Sequence, residues 1–293
     1  MADSIGLVVA AHGQRGVLDA DGVRYAFLVK GRRQRIVCGD RVRFRPDGTS
    51  GPVLVTAIEP RLGVLARVAR HDGHAEVMAA NLTQLVLVCA PRPEPDWFLA
   101  DRFLCAAELA GCQGLLVWNK ADLGAPDAPP LDEYRALGYR VLAVSARSGA
   151  GITMLAAELA GQVGALVGQS GVGKSSLINA LVPGAAAVIG ALSAAGSFGT
   201  QTTTATLMYD VGRSGRLIDT PGARTFVPAV DSIRLDQGFP ELRRLAPGCR
   251  FTDCTHSHEP GCAVLDALED GSVSARRYDN YQKLRVIVGA PGR

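Results

Sequence analysis

Short hydrophobic stretches alternate with polar turns along the first 70 residues of the chain. The turns carry Asp, Gly or Pro, and the intervals between them lack the period of a helix. The pattern predicts five short strands: Gly6–Ala10, Val23–Val29, Arg35–Val37, Arg41–Arg45 and Val53–Ile58. Five strands within about 60 residues, with no helix between them, indicate a small closed β-barrel.

From about residue 75, continuous apolar segments alternate with amphipathic ones. The strands predicted in this region are Gln84–Ala90, Gly114–Trp118, Arg140–Val144, Gly164–Val167 and Arg216–Ile218. Helices are predicted at Phe98–Ala110 and Ser175–Leu181. A further strand at Thr206–Val211 follows a loop rich in Ala, Gly and Ser, Gly184–Gly199. The alternation predicts a parallel sheet with helices on both faces, whose ligands bind at the carboxyl ends of the strands.

After about residue 230 the chain is polar, and short helices are predicted at Asp266–Asp270 and Ser274–Leu284. We therefore predict a multi-domain protein with a barrel at 1–72, an α/β domain at 73–229 and a mostly helical domain at 230–293. No apolar run reaches the roughly 18 residues that cross a bilayer, and the amino terminus lacks the features of a secretory signal. We expect a soluble, cytoplasmic monomer.

Basic residues are concentrated in the predicted barrel, although the whole chain carries a net charge of only +3. Residues 1–70 hold 12 Lys and Arg against 6 Asp and Glu. This asymmetry and the OB-type strand pattern favour a nucleic-acid interface, the alternative being a solvated basic surface. Arg41, Arg43 and Arg45 alternate with apolar residues and should share one sheet face. The predicted RNA contacts are Arg32, Arg33, Arg35, Arg41, Arg43 and Arg45.

The segment Gly168–Ser175, called here the phosphate loop, fits the pattern G-x-x-x-x-G-K-[ST] between an apolar strand and a predicted helix. Backbone amides of such a loop and the helix amino terminus bind phosphate groups. We expect Lys174 to reach the β- and γ-phosphates of a nucleotide and the Ser175 hydroxyl to ligate Mg²⁺. The predicted contacts of this segment are Gly168, Gln169, Ser170, Gly171, Val172, Gly173, Lys174, Ser175 and Ser176.

A second segment, Asn119–Asp122, follows the strand Gly114–Trp118 and is called here the base loop. The carboxylate of Asp122 can accept from N1–H and from the exocyclic amine of guanine, whereas adenine offers neither donor at these places. The site should therefore select guanine. Asn119 is expected to bond the base or to tie neighbouring loops, and the Lys120 stem is expected to cover the ring. Ser145 and Ala146, at the end of another strand, complete the predicted base site.

Two more segments complete the motif set of a GTPase. Asp219-Thr220-Pro221-Gly222 ends a strand, so Asp219 is expected at Mg²⁺ and the Gly222 amide at the γ-phosphate. In the run Thr202–Thr204, Thr203 is a candidate Mg²⁺ ligand, although a Thr run is also ordinary strand-start composition. The predicted Mg²⁺ ligands are Ser175, Thr203 and Asp219. Because the base loop precedes the phosphate loop, the order of the motifs is circularly permuted.

Four soft metal ligands lie within 14 residues near the carboxyl terminus, in the pattern Cys-x₄-Cys-x-His-x₅-Cys. Three thiolates and one imidazole suit a closed tetrahedral structural Zn²⁺ site. The predicted ligands are Cys249, Cys254, His256 and Cys262, with His258 as a possible substitute.

Permuted GTPase motifs between a basic barrel and this Cys/His module closely resemble the circularly permuted GTPases of small ribosomal subunit biogenesis. The resemblance covers essentially the whole chain, including Gly261–Val264 and the tail around Arg277. It implies a GTP hydrolase that acts late in small-subunit maturation and binds that particle and its rRNA. It further implies that the particle stimulates hydrolysis, that the nucleotide state of the switch loops controls binding, and that hydrolysis causes release.

The chain departs from the family at the position that handles the attacking water. The family usually carries a His just before the Thr run, where this chain has Gln201, and ordinary small GTPases carry a Gln where it has Ala223. Gln201 can orient water, but an amide is not a strong base. The predicted catalytic residues are Lys174, Thr203 and Gln201. Two alternatives stay open: an RNA-binding assembly module with a structural nucleotide, and a permuted GTPase of the large subunit.

Overall fold

The computed structural model describes residues 3–29, 35–45, 51–69, 73–185, 206–220 and 226–289. Its strands are Ser4–His12 (β1), Arg15–Ala20 (β2), Val23–Leu28 (β3), Arg41–Arg45 (β4), Val53–Ile58 (β5), Leu65–Val68 (β6), Ala75–Ala79 (β7), Gln84–Cys89 (β8), Gln113–Trp118 (β9), Arg140–Ala143 (β10), Val163–Gly168 (β11), Thr206–Val211 (β12) and Gly215–Asp219 (β13). Its α-helices are Trp97–Leu109 (α1), Pro129–Ala136 (α2), Ile152–Glu158 (α3), Lys174–Leu181 (α4), Pro240–Leu245 (α5), Ala263–Glu269 (α6) and Ala275–Gly289 (α7), with short 3₁₀ helices at Ser232–Gly238 and Ala246–Gly248.

Strands β1 to β5 form the closed barrel that the sequence predicts, in the order β1-β2-β3-β5-β4 with β4 paired again to β1. One predicted strand is wrong. Arg35–Val37 is not a strand, because the Val37 amide donates to Asp40 Oδ2 (2.9 Å) within a turn. The fifth strand of the barrel is instead β2, which pairs with β1 and β3. Gly16 of β2 lies against the Phe27 ring, where an added Cβ would approach ring carbons to 2.3 Å.

Strands β10, β9, β8, β11 and β13 lie side by side and run parallel, as predicted, whereas β12 is antiparallel to β13. Alternate residues of β8 face opposite layers. Leu85 and Leu87 pack in the core that contains α1, and Val86 and Val88 pack in the core that contains α3 and α4. The short helices α2 and α3 were not predicted, because α2 begins at two prolines and α3 has only 7 residues.

The barrel and the central sheet are joined through β12. This strand pairs with β13 on one side and with β1 on the other, where Ala10 lies opposite Leu207. The Cys38 thiol donates to the Thr206 carbonyl (3.0 Å) at the same junction. The barrel is therefore hydrogen-bonded to the strand that follows the predicted Thr202–Thr204 segment.

The carboxyl-terminal helices surround a third hydrophobic core, which contains Leu235, Phe239, Leu242, Val264 and Leu284. The two helices predicted in this region are confirmed. Helix α6 begins before Asp266, and α7 continues beyond Leu284 to Gly289. Within the described ranges, no helix is both long and apolar enough to span a bilayer.

Candidate nucleotide and metal sites

The carboxyl ends of the parallel strands bring the predicted nucleotide-binding segments to one edge of the sheet. Cys89 at the end of β8 lies opposite Trp118 at the end of β9, and Gly168 at the end of β11 lies opposite Val88. Asp219 ends β13 beside β11. Because β8 alone separates β9 from β11 and neighbouring strands are about 4.8 Å apart, the base loop and the phosphate loop begin roughly 10 Å from each other.

Glycines give the phosphate loop its shape. Gly168, Gly171 and Gly173 all have positive φ angles, of 140°, 84° and 95°. Gly173 precedes the first turn of α4, and an added Cβ there would lie 2.4 Å from Asn119 Nδ2. Strain and steric overlap therefore exclude larger residues at this position. The side chains of the Ser175–Ser176 turn are exposed at the helix amino terminus, where backbone N–H groups and the helix dipole favour an anion.

Lys174 and Asp219 place opposite charges beside the phosphate loop. Lys174 Nζ donates to the carbonyls of Gly168 (2.8 Å) and Gln169 (2.9 Å). Burial lowers the pKa of Lys174, and the charge of Asp219 counteracts this effect. Burial likewise raises the pKa of Asp219, with Lys174 acting in the opposite direction. A phosphate group would give Lys174 a charge-assisted hydrogen bond, and a metal cation would give the Asp219 carboxylate an opposite charge to coordinate.

Direct hydrogen bonds connect the base loop to the phosphate loop. The buried Asn119 side chain donates from Nδ2 to the Val172 carbonyl (2.9 Å) and accepts at Oδ1 from the Ala146 amide (3.2 Å). Lys120 Nζ donates to the Gly171 carbonyl (2.7 Å). Asn119 was expected either to bond the base or to connect neighbouring loops, and in the structure it connects the loops.

Asp122 is exposed at the same edge and is prepared to act as an acceptor. The Ser145 hydroxyl donates to Asp122 Oδ1 (2.6 Å), and this hydrogen bond is the main cause that lowers the pKa of Asp122. Ser145 Oγ in turn accepts from the Ser148 amide (3.2 Å), which fixes its hydroxyl as the donor toward Asp122. An ionised carboxylate can accept two N–H groups from one edge of a base.

Several predicted site residues lie outside the described residues, and they are Arg32, Arg33, Gln201, Thr202, Thr203, Thr204, Gly222 and Ala223. Of the other predicted RNA contacts, Arg41, Arg43 and Arg45 are exposed on one barrel face, as their alternation predicts. Arg43 forms an ion pair with Glu59, Arg45 with Asp3, and Arg35 with Glu76. Of the four predicted contacts that the structure describes, Arg41 alone has no carboxylate within ion-pair distance among the described residues, so it is the one of these four best able to meet a phosphate.

The predicted metal ligands come together in the carboxyl-terminal domain. Their donor atoms all lie within 4.8 Å of one another, and they are Cys249, Cys254, His256 and Cys262. His256 Nδ1 lies 3.6 Å from Cys249 Sγ and 3.4 Å from Cys262 Sγ, and the two sulfur atoms are 3.9 Å apart. A tetrahedral Zn²⁺ ion requires about 3.8 Å between two sulfur ligands and about 3.6 Å between sulfur and nitrogen. His258 is exposed and lies outside the cluster.

Sequence reasoning missed Glu259, which shapes the metal-ligand loop, the segment between Cys254 and Cys262. Its carboxylate accepts from the amides of Thr255 (2.8 Å), Ser257 (2.8 Å) and His258 (3.1 Å). Burial opposes ionisation, but these hydrogen bonds hold the pKa of Glu259 well below its ordinary value. His256, enclosed by this loop, has a φ of 55°, so the carboxylate helps to hold a left-handed turn.

A buried charge cluster, called here the Asp101 network, was also missed. Asp101 is 1% exposed and accepts from Arg277 (2.6 Å) and from the Tyr134 hydroxyl (2.5 Å). The network's members, from α1, α2, α5 and α7, are Asp101, Glu133, Tyr134, Glu241, Arg276, Arg277 and Asn280. One signal in the sequence was available: the charged pair Asp101–Arg102 interrupts the otherwise apolar segment Trp97–Ala107 of α1.

Comparison with known proteins agrees with this architecture. Residues 58–227 match the family described as RsgA GTPase. The small ribosomal subunit biogenesis GTPase RsgA of Pseudomonas putida is 41% identical over 293 residues, which cover 96% of this chain and 85% of that protein. The protein of the same name from Azotobacter vinelandii is 41% identical and covers 98% of this chain and 86% of its own length.

Solved structures show the same fold. YjeQ from Thermotoga maritima superposes with a TM-score of 0.74 at 29% identity, over 99% of this chain and 100% of that chain. YloQ, a circularly permuted GTPase, superposes with a TM-score of 0.71 at 24% identity, over 98% of this chain and 95% of that chain, which bears on the fold alone. The chain is therefore a GTP hydrolase that belongs to the RsgA GTPase family.

Proposed function

We propose that this GTP hydrolase is a late maturation factor of the small ribosomal subunit. The relatives at 41% identity are named for the biogenesis of that particle. The observation that carries the nucleotide part of the proposal is the pair of hydrogen bonds from Asn119 and Lys120 to the phosphate loop. These bonds hold Asp122 and Lys174 at one sheet edge, where a single GTP molecule spans both.

Within the proposed site, the chain's own groups divide into a base-reading and a phosphate-binding set. Asp122 accepts from the guanine edge, with Ser145 and the Ala146 backbone beside it. The phosphate-loop amides and Lys174 bind the phosphates from Gly168 to Ser176. Ser175, Asp219 and Thr203 hold Mg²⁺, which neutralises charge on the β- and γ-phosphate oxygens when bound. The Gly222 amide contacts the γ-phosphate, and Gln201 orients the attacking water.

The flanking domains supply the contacts with the particle. We assign rRNA binding to the predicted barrel arginines, with Arg41 in the leading role because no carboxylate within the described ranges pairs with it. The ligand spacing and the three thiolates support Zn²⁺ as the metal, in a closed site with a structural role. The proposal also includes domain limits at residues 72 and 229, a monomeric state and a cytoplasmic location.

The decisive experiment measures GTP hydrolysis by the purified protein alone, with small ribosomal subunits, and with large subunits as the control particle. We expect slow intrinsic turnover and strong stimulation by the small subunit, on the order of 10³ or more if the particle supplies a charge at the γ-phosphate. Lys174→Ala should abolish both rates. Equal rates with and without small subunits would refute the proposal, and stimulation by the large subunit alone would reassign the partner.

A further inference from the structure

The carboxyl-terminal helix α7 contacts the metal-ligand loop with one set of side chains and the GTPase helices with another. Tyr278 Oη donates to the His256 carbonyl (2.7 Å), and Gln282 Nε2 donates to the same oxygen (2.8 Å). Tyr281 and Arg285 reach the Thr255 carbonyl, both at 3.3 Å. The loop that carries one metal ligand is therefore fastened to α7 through its backbone.

The other set of α7 side chains enters the Asp101 network. Arg277 donates to Asp101 of α1 and makes a two-point contact with Glu241 of α5 (2.7 and 3.0 Å). Arg276 donates to Glu133 of α2 (2.7 Å), and Asn280 donates to Asp101 (2.6 Å). Burial acts against the charge of Arg277, yet Asp101 and Glu241 raise its pKa well above the ordinary value.

Helices α1 and α2 lead directly to the two halves of the nucleotide site. The Asp96 amide at the amino terminus of α1 donates to Gln169 of the phosphate loop (3.2 Å), and the Asp96 side chain caps the helix. Helix α2 is the first helix after the base loop, and Trp118 Nε1 donates to the Gly124 carbonyl (2.9 Å) where the chain leaves that loop. The phosphate loop is therefore hydrogen-bonded to the start of α1, and the chain that leaves the base loop runs on into α2.

We propose that α7 couples the metal centre to the guanine-nucleotide site, with Arg276 as a positioning residue. A bound metal ion fixes the loop around His256, the loop carbonyls orient α7, and α7 holds α1 and α2 so that the base loop and phosphate loop are set for the nucleotide. The inference rests on the proposed nucleotide and metal sites. Coupling between two binding sites is reciprocal, so nucleotide binding must strengthen metal binding by the same factor.

The test measures affinity for GDP, with a fluorescent analogue, on the full chain loaded with Zn²⁺ and again after chelation. We expect metal removal to weaken GDP binding about fivefold or more. A second measurement tests the opposite direction of the coupling. It follows the rate at which a chelator takes Zn²⁺ from the loaded protein, and saturating GDP should lower this rate. This second measurement keeps the test decisive even if the metal-free chain unfolds. Equal transfer with and without GDP would overturn the coupling.

Arg276→Gln removes the ion pair from α7 to Glu133 of α2 and one of the three links from α7 to Asp101 of α1, and it leaves every metal ligand and nucleotide contact in place. Both effects should shrink in this variant, and unchanged effects would refute the role of Arg276. Arg243→Gln is the matched control, because its ion pair with Glu108 (3.0 Å) joins α5 to α1 without involving α7. The control should keep the full coupling, and its loss there would refute the route through α7. A Zn²⁺-loaded chain that binds no GDP would instead refute the proposed function.

Discussion

The change Asp122→Asn tests how the base loop reads guanine. Ser145 Oγ donates to Oδ1 of this side chain and is itself held by the Ser148 amide. The asparagine oxygen should therefore face Ser145, which turns the NH₂ group toward the base. Guanine then loses two charge-assisted hydrogen bonds of about 1.5–3 kcal/mol each. A loss of roughly 3–6 kcal/mol corresponds to about 10²–10⁴ in affinity.

The same orientation gives the variant a new preference, because an NH₂ group can donate to the C2 carbonyl of xanthine. Competition between GTP and xanthosine triphosphate for the purified variant measures the exchange directly. Asp132→Asn, on the exposed face of α2, is the matched control and should leave the GTP preference unchanged. Adding Ser145→Ala should weaken the xanthine preference, since the amide is then free to rotate. A variant that still prefers GTP would show that another group reads the base.

Four further predictions, made with five substitutions, test separate parts of the structure. Gly173→Ala should abolish nucleotide binding while the fold survives, because the added Cβ meets the base loop; measurable GTP affinity would contradict the clash. Arg41→Gln should lower the salt slope of RNA binding by about 1, and Arg43→Gln by less, because Glu59 already neutralises that arginine. Glu259→Gln should weaken metal binding about 10- to 100-fold. Because the folded-state pKa of Glu259 is depressed, its contribution to the free energy of unfolding should hold above pH 4.5 and fade as the pH falls further, and equal unfolding free energies of variant and parent at pH 7 would count against it. Arg277→Met should destabilise the carboxyl-terminal domain by about 3–5 kcal/mol in urea titrations, since it takes the ion-pair partner from the buried Glu241 and one of two arginines from the buried Asp101.

The barrel shows where a sequence pattern is sufficient and where it fails. Alternation placed β4 correctly, because its arginines are exposed and its Val42 and Phe44 are buried. The same reasoning missed β2, whose Val17 and Leu18 are both fully buried and therefore do not alternate. It also assigned a strand to Arg35–Val37, where the backbone bonds to a side chain instead of a neighbouring strand. Alternation of polar and apolar residues identifies strands with one solvent-exposed face. It does not identify strands that are buried on both faces.

The candidate sites were predictable wherever a local segment carries the chemistry. The phosphate loop and the metal ligands are close in sequence, so their spacing alone indicates what they bind. The contact between Arg277 and Asp101 joins residues 176 positions apart. The bond from Asn119 to Val172 is likewise a property of the assembled sheet. Such contacts depend on which strands and helices become neighbours, and a single sequence does not show this directly.

Circular permutation gives both flanking domains a direct connection to the nucleotide edge. The barrel is hydrogen-bonded to β12, and the carboxyl-terminal domain follows β13, which ends at Asp219. Further along the chain, Phe226 stacks on Phe103 of α1 with ring centroids 4.2 Å apart. Helix α1 also carries Asp101, so the chain that follows β13 packs on the helix that is hydrogen-bonded to α7. In the unpermuted order, β12 and β13 would continue into the rest of the sheet. In the permuted order, β12 pairs with β1 of the barrel, and the chain after β13 enters the carboxyl-terminal domain.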